Sequence, residues 1–69
     1  MDLTLTFDSG TELNLSSEPA TFRMLARHLA EHGLAELAAT LNANARRIRV
    51  SDVDRAETGM AFAAMFEQL

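Results

Sequence analysis

His28 and His32 stand four residues apart. On a helix that spacing puts two imidazoles on one face, where they could share a metal ion. Glu31 and Glu36 are the nearby acids. A His-Glu-x-x-His run is absent and no third ligand is evident, so two partly exposed histidines bordering a core are expected instead, and no metal. Asp52, Asp54 and Glu57 resemble half of a calcium loop, but the Gly and the closing Glu of such a loop are missing at the required spacing. Acids at the start of a helix interact favourably with its positive end, which accounts for all three. Nucleophilic chemistry has little to use. The chain contains no Cys, Lys, Tyr or Trp, no Ser in a G-x-S-x-G elbow, and only three scattered glycines. A chain of 69 residues also leaves little room for a ~300 Å³ pocket beside its core. No enzyme activity, no catalytic residue and no cofactor are expected.

Arg46, Arg47 and Arg49 form a local basic cluster that could contact nucleic-acid phosphates. No aromatic residue interleaves with them, and Asp52 and Asp54 follow closely. The net charge of −4 further disfavours a polyanion partner. The expected role is a solvated edge strand, where charge discourages edge-to-edge pairing. The stretch Arg46–Val53 followed by Ala56 resembles the loop and helix start that close a histone-type fold, over about a dozen residues. The long central helix of that family is interrupted here by Gly33. Residues 34–57 lack the turn glycine of a helix-turn-helix, and Ile48-Arg49-Val50 alternates like a strand. Neither family is assigned.

These residues need a scaffold, and the hydrophobic pattern supplies one. With 48% hydrophobic and 23% charged residues the composition is globular, not disordered. The length sets a single domain, 1–69. A domain this small buries only roughly 60% of the surface its unfolded chain exposes, and without Cys it has no disulfide staple, so self-association is expected. No apolar run approaches the ~20 residues of a membrane span, and Met1-Asp2 leads into alternating Leu and Thr and not into a basic, then apolar, signal segment. A cytoplasmic protein with no membrane contact is expected.

Leu3, Leu5 and Phe7 alternate with Asp2, Thr4 and Thr6, and Leu13 and Leu15 alternate after the turn residues Asp8-Ser9-Gly10. That predicts a hairpin over residues 2–16. Ser16-Ser17-Glu18-Pro19 reads as a helix start, with a Ser side chain accepting from the first free N–H groups. Phe22, Leu25, Ala26 and Leu29 then follow helical spacing up to a glycine cap at Gly33. Leu34, Leu37, Ala38 and Leu41 lie out of phase with that stripe, so a second helix is expected after a bend. Arg47–Val50 predicts a third strand beside the hairpin, and Ser51 caps a last helix that Thr58-Gly59 could kink. The predicted fold is α+β in the order ββααβα.

The last helix is apolar on both sides. On a helical wheel Val53, Ala56, Met60, Ala63 and Ala64 form one stripe, expected to face the core. Phe62, Met65, Phe66 and Leu69 fall on the opposite side, roughly 140° to 240° from Met60. Exposed Phe, Met and Leu mark interaction surfaces, so these four are the expected contact face for a protein partner or a second copy. The function expected is a small protein-binding module that regulates or inhibits a larger partner. One alternative is a nucleic-acid-associated regulator using Arg46, Arg47 and Arg49 from a dimer. Another is a small inhibitor of host machinery of the kind mobile elements carry, by analogy of size and charge alone.

Overall fold

A computed structural model describes residues 1–69. The first alternating run folds as strand β1 (Asp2–Phe7) and the second as β2 (Glu12–Ser16). They pair antiparallel, with Leu3 opposite Leu15 and Leu5 opposite Leu13, so the apolar residues share one face. Gly10 closes the turn at φ +95°, a backbone conformation that glycine adopts without strain. Its N–H donates to the Phe7 carbonyl at 2.8 Å.

Strand β3 (Arg47–Val50) lies on the other side of β1, giving the sheet order β2-β1-β3. This second pairing is parallel, with Leu5 opposite Ile48 and Phe7 opposite Val50. A parallel return needs a crossover. Here helices α1 (Pro19–Glu31) and α2 (Ala35–Asn42) provide it. Leu3, Leu5, Phe7, Ile48 and Val50 are buried, whereas Arg47 and Arg49 are exposed. The sheet therefore covers one face with helices and leaves the other to solvent.

The break at Gly33 forms as its sequence signal predicts. Gly33, at φ +82°, donates to the Ala30 carbonyl, and Leu34 donates to that of Leu29. This double closure satisfies the last free carbonyls of α1. Asn44, at φ +71°, ends α2 in the same way, with Asn44 donating to Leu41 and Ala45 to Thr40.

Helix α3 (Arg55–Glu67) closes the chain and packs chiefly on α1. The order ββααβα is thus present, with one addition, a 3-10 turn at Asp52–Asp54 ahead of α3. Three local expectations need correction. Ser51 does not cap α3; its Oγ donates to Asp54 Oδ2, and Asp54 occupies the cap position. At the start of α1 the capping residue is Glu18, while Ser17 Oγ donates to Thr21 Oγ1. Thr58-Gly59 does not interrupt α3, which runs unbroken through it, with the buried Thr58 hydroxyl donating to the Asp54 carbonyl at 2.8 Å. The core gathers Phe22, Leu25 and Leu29 of α1, Leu41 of α2 and the inner side of α3 against the sheet. No helix is long and apolar enough to cross a membrane.

Candidate functional site

The inward side of α3 is Thr58, Ala61, Phe62 and Met65. Two of the four residues expected to face a partner are therefore core: Phe62 is 7% exposed and Met65 0%. The other two, Phe66 and Leu69, are exposed at 52% and 70%. The stripe expected to face the core is mostly outside. Val53 is 87% exposed and Met60 53%, Ala56 and Ala63 are exposed, and Ala64 is half-buried. Burial of the larger side chains removes more apolar surface from water, which favours the observed orientation. Val53 also belongs to the 3-10 turn and not to α3, so a wheel carried back through it assigns it a false phase.

The exposed surface of α3 thus combines Met60 and Phe66 with the small residues Ala56, Gly59 and Ala63. Phe66 sits at the seam between outside and core, its ring centre 6.2 Å from that of buried Phe62 at a tilt of 43°. Asp52, in the turn before α3, and Glu67, its last residue, are exposed acids at the two ends of this surface. Arg55 turns away from it, its guanidinium 5.5 Å from the Phe7 ring centre and within reach of Ser9.

The two histidines hold α3 to α1. His28 is buried, contrary to the partial exposure expected, and its Nε2 lies 3.1 Å from Gln68 Oε1. The same oxygen accepts from Arg27 Nη2 at 2.9 Å. His32 is half-buried, with Nδ1 3.4 Å from Glu57 Oε2. No three His, Asp or Glu side chains gather where they could hold a metal ion.

The three arginines do not form one patch. Arg46 folds back on the helices: its Nη1 donates to the carbonyls of Leu41 and Ala45, and its guanidinium stacks 4.7 Å from the Phe22 ring centre. That anchors the end of α2 and separates Arg46 from the other two arginines. Arg47 and Arg49 lie on the open face of the sheet, and Arg49 sits 3.5 Å from Asp8.

Sequence reasoning missed two groupings. One is Met60 with its small neighbours on the outer side of α3. The other is a cleft that brings Arg23, Asn42 and Asn44 beside Arg46. The asparagines carried a signal only for the end of a helix, and Arg23 belongs to a different element, so their meeting depends on how α1 and α2 pack. Compared with known proteins, the chain matches no family model, no curated protein and no solved structure.

Proposed function

We propose that this chain is a small non-enzymatic protein-binding module that regulates or inhibits a larger protein, laying the outer face of α3 against it or against a second copy. One observation carries the proposal: Met60 and Phe66 each stand about half exposed on one helix, at 53% and 52%, with Val53 and Leu69 exposed further at its two ends. Met60 and Phe66 flank a strip of small residues, Ala56, Gly59 and Ala63, and exposed apolar side chains gathered on one helix in this way are characteristic of interaction sites. Ala56, Gly59 and Ala63 leave shallow positions beside the Met60 side chain, into which ridges of a partner helix can pack. Met60 is flexible and polarizable enough to conform to such a partner. The two acids at its ends favour a partner with basic residues around its contact patch. Phe66 and Leu69 remain in the contact set, Met60, Ala56 and Ala63 join it, and Phe62 and Met65 leave it.

The test is Met60→Asp. The side chain is half exposed, so the variant keeps its helical circular dichroism. In the wild type, sedimentation velocity detects a dimer, or capture from the native host lysate retains a specific protein. The variant loses that association by about thirtyfold or more, the effect of an interface anchor worth ~2 kcal/mol. A folded Met60→Asp protein that associates as the wild type does rules the surface out, as does a wild type that stays monomeric and captures nothing.

A further inference from the structure

Between the start of α1 and the end of α2 lies a cleft of about 170 Å³ whose walls include Arg23, Arg46, Asn42 and Asn44, with Pro19 and Phe22 among the remaining lining residues. The chain carries ten acidic residues against six arginines, yet neither Arg23 nor Arg46 has a carboxylate partner, whereas Arg27 and Arg49 do. Arg46 is held in a fixed plane. Both of its backbone hydrogen bonds, at 3.1 Å and 2.9 Å, use Nη1, and the Phe22 ring supports the guanidinium from one side. The opposite edge of that group, Nε with Nη2, is the pair of donors that grips an oxyanion in bidentate fashion. Nε is buried and has no hydrogen-bond acceptor within the protein. The atom is shut off from solvent as it stands, so an in-plane rotation of the guanidinium toward the cleft is what gives this N–H the acceptor it lacks, and a buried N–H without one is costly.

The other walls supply donors of the same kind. The side-chain amides of Asn42 and Asn44 are exposed, and the left-handed backbone at Asn44, φ +71°, fixes where its side chain leaves the chain. Pro19, the first residue of α1, lines the cleft, and Glu18 before it gives no side-chain cap, so the positive end of a 13-residue helix lies beside it. At the nearby end of α2, Arg46 already occupies the Leu41 carbonyl, which reduces the repulsion an anion would otherwise meet there. Two guanidinium groups and two amides offer more donors than the two oxygens of a carboxylate can accept. A phosphate group, with three or more acceptor oxygens and a charge of roughly −1.5 to −2, matches them better.

We infer that this cleft is a binding site for phosphate, either as the free ion or as the phosphoryl group of a small monoester. The inference is independent of the docking surface on α3, and a failure of either leaves the other standing.

The experiment is a ¹H–¹⁵N NMR titration of the full chain with sodium phosphate, phenyl phosphate, sodium acetate and sodium chloride at matched ionic strength. It follows the Arg46 Nε–Hε signal and the side-chain amides of Asn42 and Asn44. Phosphate is expected to shift these signals saturably while chloride does not. Arg23→Gln, at an exposed position with no ion pair or side-chain hydrogen bond, leaves the spectrum otherwise native and weakens binding at least tenfold. Tighter binding of phenyl phosphate assigns the site to a monoester, and tighter binding of inorganic phosphate assigns it to the free ion. Linear shifts equal to those of chloride overturn the proposal. So does a saturable response to acetate as strong as to phosphate, or phosphate binding that Arg23→Gln leaves unchanged.

Discussion

Replacing Met65 with Ala measures whether the inner side of α3 is the one assigned to it. Met65 is wholly buried at the contact of α3 with the core. Truncating a buried Met to Ala loses the transfer free energy of the side chain and leaves a cavity, together about 2–5 kcal/mol, of which ~3 is a central value. At roughly 0.05–0.15 kcal/mol per residue, a domain of 69 residues has about 3.5–10 kcal/mol of stability in total, so this one change removes roughly 30% of it or more. With a urea m-value of ~1 kcal/mol/M, the unfolding midpoint falls by about 3 M or the protein unfolds outright. The equivalent fall in Tm is about 12–24 °C. Phe66→Ala is the internal comparison. Phe66 is 52% exposed and meets the core through its tilted contact with Phe62, so its loss costs only about 0.5–1.5 kcal/mol. Both variants are unfolded in urea under circular dichroism at two protein concentrations, because association through α3 would add a concentration-dependent term. If Phe66→Ala costs more than Met65→Ala at the lower concentration, the orientation of α3 is wrong.

Two further perturbations separate structural roles that the sequence leaves merged. Arg46→Ala frees two backbone carbonyls and a ring contact, for a loss of about 1–2 kcal/mol, whereas Arg49→Ala gives up only an exposed ion pair and stays within about 0.5 kcal/mol of the wild type; equal urea midpoints for the two would contradict the anchoring of α2. Gly59→Ala raises thermal stability by about 0.5–1 kcal/mol, since the added methyl meets nothing within 4 Å and Ala is the better helix former. A lowered Tm would mean that this stretch of α3 is more crowded than it stands in the monomer.

The strands were legible because their signal is local. Leu3, Leu5 and Phe7 alternate with polar residues, and Gly10 sits where a left-handed residue closes the turn, so neighbours in sequence carry the hairpin. The bend at Gly33 is equally local, needing only a glycine and a shift in helical phase. The pairing of β3 is different. Its alternation gives a strand but names no neighbour, and the parallel register of Ile48 on Leu5 follows from how far α1 and α2 carry the chain across the sheet. Arg46 was misread for a related reason. Next to Arg47 and Arg49 it reads as one of three surface cations, but strand alternation turns it to the side opposite Arg47, where the end of α2 offers it two carbonyls.

Helix α3 marks the limit of pattern reading. Helical spacing identifies the element, but a wheel that is apolar on both sides carries no phase of its own. The choice is made by what α3 packs on. Leu25 and Leu29 of α1 are fully buried, and α3 must complete their cover. Presenting Phe62 and Met65 to that surface buries far more area than presenting Ala56, Met60 and Ala63. Because this choice places Thr58 in the core, its hydroxyl needs an acceptor, and the Asp54 carbonyl one turn earlier provides one without a tertiary partner. The orientation that best fills the core is therefore the one that strands Met60 and Phe66 in water. Folding uses only part of either side chain: Phe66 keeps one tilted contact with Phe62, and half of Met60 stays in water. That is the physical reason to look for what covers them.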